Sequence, residues 1–248
     1  MVTTIRPADK GLLGIGCDAD GSAVLLTWRE LLEVDRDGRQ RVAALSEPIG
    51  SGGTTVTHLT PGEVLVGIDS GEFGGGLTRI GRASGRVTLV ERNATGALCG
   101  GPLNPACDPV TGIAPLPWKP GCVAATVGLA HMMRMHGRVV EVCWDRVEQI
   151  FSKTHGIQAW RGPGGPGEFV ETLAFYGLGR AGDALLAVGA NGLYRIGPGG
   201  RAETEPWPRF EEVGGVRVSF GVPGFVLVMP RVDARGPSGG GGPLLVPR

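Results

Sequence analysis

The sequence predicts an all-β chain built from a repeated four-strand unit, and three observations carry that prediction. Forty-five glycines and 19 prolines among 248 residues demand many turns, hence many short elements. An apolar strand, a loop, a second strand and a glycine turn recur along the chain. Helical periodicity is nearly absent.

The clearest copies of the unit share the pentapeptide Gly-Leu-x-Arg-Ile. Val64 to Ile68 leads to Gly76-Leu77-Thr78-Arg79-Ile80 and the turn Ala83-Ser84-Gly85. Leu185 to Val188 leads to Gly192-Leu193-Tyr194-Arg195-Ile196 and the turn Pro198-Gly199-Gly200. The first copy runs from Ala23 to Trp28, then Leu31 to Val34 and the turn Asp35-Arg36-Asp37-Gly38. Trp28 to Val34 also admits a short helix, and the repeat alignment decides for strand. Val123 to Met133 with Gly137 to Val142 is a third copy, turning at Cys143 to Arg146. Phe225 to Met229 with Pro243 to Val246 is a fifth. With Val34, Ile80, Val142, Ile196 and Val246 equivalent, the spacings are 46, 62, 54 and 50 residues. A four-stranded propeller blade takes about 40–50.

A further strand precedes most units. Gly11 to Cys17, Thr54 to Leu59, Thr172 to Leu178 and Val216 to Phe220 each end in an Asp-Gly, Pro-Gly or similar turn signal. The expected fold is therefore a single β-propeller of about five four-stranded blades over residues 1–248. The last unit lacks one strand, and Val2 to Arg6 is expected to supply it and close the ring. A β-sandwich or irregular barrel shares the short strands but does not require the repeat.

The Gly-Gly-Leu-x-Arg-Ile pattern before a glycine turn resembles the repeats of sensor-type and lactonase- or lyase-like β-propellers. The resemblance covers most of residues 11–248 as repeat rhythm. It implies the architecture and leaves the activity open, because propellers host enzymes, scaffolds and sensors alike.

The bulk numbers exclude several classes. Lys plus Arg and Asp plus Glu both number 24, so no basic excess exists to bind a phosphate backbone, and no nucleic-acid partner is expected. A 42% hydrophobic content is enough for a continuous core, and the 19% charged fraction argues against a disordered chain. No apolar run reaches the roughly 18 residues that span a bilayer, so no membrane is expected. Met1 to Lys10 has no secretory pattern, which points to the cytoplasm. Five cysteines, at 17, 99, 107, 122 and 143, leave two readings open: free buried thiols, or a Cys107–Cys122 bridge across a proline-rich loop. No CxxC pair signals a zinc site.

The blade frame sorts the connections onto two sides. Tight, plain turns fall on one: Asp18 to Gly21, Asp35 to Gly38, Ala83 to Gly85, Gly179 to Gly182 and Pro198 to Gly200. The long segments fall on the other: Asp69–Gly76, Glu91–Gly112, Ser152–Phe169 and Pro230–Gly242. Insertions gathered on one side of a rigid scaffold are where binding groups tend to sit. Candidate ligand-binding residues there are Arg29, Asp69, Phe73, Arg134, Asn191 and Arg231. Asp69 with Glu72, and Asn104 with Asp108, supply the oxygen ligands that a Ca2+ ion wants. Asp and Asn also stabilise loops by turn chemistry. His136 precedes a glycine on the long-segment side and is the candidate general base, with no orienting partner identified near it in sequence; Glu72 is the other candidate catalytic residue. His131 reads as a packed core histidine.

No Gly-x-Ser-x-Gly elbow, P-loop or His-Glu-x-x-His occurs. Gly162 to Gly167 is glycine-rich, but its prolines remove the N–H donors of a phosphate cradle, and it reads as a linker. The expected function is a propeller that binds a small molecule or a protein partner. The alternative is a metal-assisted hydrolase or lyase of the lactonase-like kind. A partner-dependent subunit would expose a patch of Phe73, Trp118 and Trp160.

Overall fold

A computed structural model describes residues 11–18, 20–50, 53–90, 100–131, 134–144, 146–162, 165–206, 216–230 and 243–248. The chain divides into two compact units between Val110 and Thr111, and each is taken by itself.

The first unit holds two antiparallel four-strand meanders. One runs β1 (Leu12–Cys17), β2 (Ala23–Thr27), β3 (Glu30–Val34) and β4 (Gln40–Ala44). The other runs β5 (Thr54–Leu59), β6 (Glu63–Asp69), β7 (Gly75–Gly81) and β8 (Val87–Leu89). The helical alternative at Trp28 to Val34 loses to cross-strand pairing, with Leu26 opposite Leu31 and Leu25 opposite Leu32. The Thr27 hydroxyl steadies the two-residue link by accepting the Glu30 N–H at 3.0 Å. The core joins both meanders through Leu26, Leu31, Val66 and Ile80, all essentially inaccessible.

The second unit opens with the meander β9 (Val110–Pro115), β10 (Val123–His131), β11 (Arg134–Cys143) and β12 (Arg146–Phe151). A hairpin follows, β13 (Thr154–Gly162) and β14 (Gly165–Thr172). Next come a meander, β15 (Phe175–Ala181), β16 (Ala184–Gly189), β17 (Gly192–Ile196) and β18 (Ala202–Pro206), and a three-strand sheet, β19 (Val216–Ser219), β20 (Phe225–Pro230) and β21 (Leu244–Pro247). Phe151, Phe175 and Tyr194 meet edge-on or tilted, with centroids 5.6–6.0 Å apart, at one core.

The sequence repeat is a burial repeat. Leu77 and Leu193 are buried, as are Ile80 and Ile196, while Arg79 and Arg195 take the position between them. Seams between neighbouring sheets use glycine. A methyl group on Gly16 of β1 would lie 2.6 Å from Leu59 of β5, and one on Gly179 of β15 would lie 2.3 Å from the Phe220 ring beyond β19.

Three expectations are corrected. Ser152–Phe169 is not a loop but most of the β13–β14 hairpin, with Gly162 opposite Gly165 near its tip instead of in a linker. Pro166 is tolerated because a two-stranded sheet has only edges. Thr172 therefore ends β14, and the strand expected from Thr172 begins at Phe175. The cysteines follow neither open reading: the bridge joins Cys122 to Cys143, Cys107 is bonded elsewhere, and Cys17 is the free thiol among the described residues. Pairing of Val123 with Val142 brings Cys122 opposite Cys143, with Cα atoms 4.6 Å apart. The expected closing strand, Val2 to Arg6, lies outside the described residues. No helix among them is long and apolar enough to cross a membrane.

Candidate functional site

The β6–β7 connection is a single 3-10 turn, Gly71–Phe73, seated on three glycines. The Asp69 carboxylate accepts the Gly71 N–H at 3.0 Å, and the Ser70 N–H donates to the Gly74 carbonyl at 2.9 Å. Gly75 and Gly76 donate their N–H groups to the carbonyls of Pro105 and Asp108, each at 2.8 Å. A side chain on Gly74 would fall 2.2 Å from the Pro105 oxygen, so that close approach requires glycine. This seat holds Glu72 exposed and Phe73 78% exposed.

Asn104 and Asp108 belong to the segment docked on that seat, and both are buried. Their side chains shape the segment itself. The Asn104 N–H donates to Asp108 Oδ2 at 2.5 Å, and the Ala106 N–H donates to Asn104 Oδ1 at 3.0 Å. The two predicted acidic groupings thus meet through backbone contacts. The carboxylates of Asp69, Glu72 and Asp108 do not gather within the 4.8 Å of one another that would make a three-ligand metal group among the described residues.

The remaining candidates are scattered over turns and strands. Arg29 is exposed in the β2–β3 link, where its carbonyl accepts the Leu45 N–H. Asn191 is exposed between β16 and β17 and accepts the Tyr194 hydroxyl at 2.7 Å. Burial raises the pKa of that tyrosine despite the hydrogen bond. His136 lies in β11 opposite Leu129, and its Nε2 is 2.9 Å from Arg138 Nη1. The guanidinium can only donate, so Nε2 accepts and Nδ1 carries the ring proton. Accepting a proton at Nε2 would therefore require this ring to give up its bond to Arg138. Arg134 begins β11, but its side chain is outside the described part, and Arg231 lies outside the described residues. Of the predicted aromatic patch, Trp118 packs half-buried against the core.

Sequence reasoning missed a groove on the side of the plain turns. A cavity of about 770 Å³ lies along β1 and β5, lined among others by Cys17, Asp18, Asp20, His58, Thr60 and Arg82. Arg82 binds three separate segments beside it: Asp18 at 2.7 Å, Glu33 at 2.5 Å and the Thr60 carbonyl at 3.0 Å. Burial alone would raise Glu33, but hydrogen bonds from Arg41 and Arg82 outweigh it and hold the carboxyl below its ordinary pKa. Burial lowers the pKa of His58, which keeps its imidazole neutral at pH 7. One signal for the clamp was in the sequence: Arg82 stands where the matching repeat has Pro198.

No family model and no curated protein matches this chain. Solved structures do. A streptogramin B lyase superposes with a TM-score of 0.51 at 13% identity, covering 92% of this chain and 68% of the lyase. A gluconolactonase from Xanthomonas campestris gives 0.52 at 11% identity, covering 95% of this chain and 71% of the enzyme. The extracellular domain of a hybrid two-component system from B. thetaiotaomicron gives 0.50 at 13% identity, and this chain spans only 26% of its length. Likeness at such low identity speaks for fold alone. With the repeated antiparallel meanders, it makes this an all-β chain of propeller-type architecture, resembling the sensor, lyase and lactonase propellers.

Proposed function

We propose that the chain is a five-bladed propeller, closed by its N-terminal strand, that binds a protein partner through its long-segment side and carries out no chemistry there. Among the described residues, four four-stranded sheets and one three-stranded sheet, apart from the two-stranded β13–β14 sheet, support the count, since one added strand completes the fifth blade. The observation that carries the binding reading is the β13–β14 hairpin. It sits between two blade-like sheets, and its cross-strand pair Ile157 and Val170 is 65% and 59% exposed. Two β-branched apolar side chains shown side by side to water are better explained by a partner than by folding.

The metal-assisted hydrolase or lyase reading expects ligands from among Asp69, Glu72, Asn104 and Asp108 to converge on one cation, whereas Asp69, Asn104 and Asp108 each accept a backbone N–H within their own segments. The two readings part experimentally. Affinity capture from the source cells should recover a protein with the native chain and lose it with Ile157→Lys/Val170→Lys, at unchanged melting temperature. Equal recovery by both would refute the interface. Calcium-dependent lactone turnover abolished by Glu72→Gln would establish the enzyme instead.

A further inference from the structure

We infer that Cys122, Cys143 and Glu141 form a redox-gated site for a thiophilic divalent cation, zinc by preference. The sulfur atoms of both cysteines and a carboxylate oxygen of Glu141 all lie within 4.8 Å of one another. Glu141 and Cys143 are two apart on β11 and so share a face. Cys122 enters from the end of β10, opposite Cys143. Cross-strand register therefore does the work of a CxxC motif, across 21 residues of sequence.

The surrounding loop is built to hold these groups. Leu116 N–H donates to the Cys122 carbonyl at 3.0 Å, and Cys122 N–H donates to the Lys119 carbonyl at 3.1 Å. The Lys119 ammonium reaches back onto the Glu141 carboxylate, which is otherwise buried. Two thiolates and one carboxylate carry three negative charges, which a divalent cation and Lys119 together cancel. Zinc accepts two thiolate sulfurs at about 2.3 Å and a carboxylate oxygen at about 2.0–2.2 Å, with water completing a tetrahedron. In the bridged state Glu141 and Lys119 neutralise each other, so both states are balanced.

The switch is a two-electron exchange. An external dithiol gives two electrons and two protons to the Cys122–Cys143 bond and leaves as its own disulfide. The two new thiols then release two protons to solvent as the cation binds. Bridge and metal exclude each other because the same sulfur electrons serve both.

The test uses the full chain carrying Cys17→Ser, which removes the exposed free thiol. Protein reduced by a phosphine and then desalted is titrated with zinc against a chromophoric chelator, with cobalt as a spectroscopic stand-in. The expected result is one equivalent bound by reduced protein, none by bridged protein, and a thiolate-to-cobalt charge-transfer band. Glu141→Gln should weaken zinc by at least the roughly 10–100-fold that loss of a partner supporting a ligand costs, and Cys122→Ser/Cys143→Ser should abolish the band. Fluorescence of Trp144, the exposed residue that follows Cys143, should respond to the cation. Uptake that persists in the double serine variant would overturn the site, because the metal would then sit on other cysteines. So would an absence of uptake by reduced protein, or reduced protein that unfolds and is not restored by zinc.

Discussion

The seam between β1 and β5 and the seam between β15 and β19 begin with one device and finish with two. Leu13-Gly14-Ile15-Gly16-Cys17 and Tyr176-Gly177-Leu178-Gly179-Arg180 present alternate glycines to the neighbouring sheet, which comes close enough to touch backbone. In the second unit the seam is completed by apolar packing of Val188, Val216, Val226 and Phe220. In the first, an apolar cluster also forms, but Arg82 adds a polar clamp across Asp18, Glu33 and Thr60 at the turn end. The backbone step is common to both seams, whereas the finishing chemistry is local. That is how one repeat can carry different edges without changing its fold.

The largest test of the shared step is a methyl group. Gly179→Ala must move the root of the Phe220 ring, and the expected loss is about 3 kcal/mol, at the top of the overpacking range. Gly16→Ala meets the free end of Leu59, which can rotate away, so about 1 kcal/mol is expected. Urea unfolding of both variants measures the difference. Equal losses would mean that the partner's stiffness does not set the cost.

The next test breaks the finishing chemistry. Arg82→Leu removes three hydrogen bonds and leaves two part-buried carboxylates beside an apolar group, for an expected loss of about 2 kcal/mol. Pro198→Ala, at the matching position of the other repeat, should cost only about 0.5 kcal/mol, through the freer unfolded chain. If the two substitutions cost the same, the clamp contributes nothing special to its seam.

What the sequence made legible was periodic and local. Gly76 to Ile80 and Gly192 to Ile196 announce the same strand because alternation and a following glycine turn need no distant partner. The β13–β14 hairpin was hidden because Pro163, Pro166 and four nearby glycines read as loop, and only pairing shows that Pro166 can occupy an edge. The Cys122–Cys143 bridge was hidden for a different reason. Spacing favours the nearer Cys107, while the partner is chosen by the register of β10 against β11. A sequence cannot tell a metal ligand from an Asx turn, and Asp69, at the end of β6, accepts the Gly71 N–H. The groove went unread because its lining is ordinary in sequence and gathers only when β1 lies along β5.

Acid should separate the two seams further. Glu33 has a folded pKa below its ordinary 4.5, so its contribution is complete above that value and is lost as pH falls through the lower folded value. Native protein should therefore show a stability decline below pH 4.5 that Arg82→Leu flattens. Unfolding midpoints measured between pH 2 and 6 give both curves, and parallel curves would remove Arg82 as the cause of the depression.

The smallest expected effect belongs to His58, the one imidazole in the groove of the clamped seam. Burial lowers its folded pKa below the ordinary 6.5. Between those two values the unfolded chain binds a proton that the native chain refuses, so stability falls as pH drops below 6.5 and levels off once the folded pKa is passed. Asp18, Asp20 and Arg82 are the charged groups lining the same groove. Arg82 already holds Asp18, and Asp20 is engaged by Ser22, so neither carboxylate is placed to reverse the effect of burial. His58→Gln should abolish the decline just below pH 6.5 while leaving the deeper Glu33 decline in place. A ring titration followed by NMR decides the sign directly. A midpoint at or above 6.5 would mean that the carboxylates, and not desolvation, govern the groove, and the clamped seam would then hold a site prepared for cations.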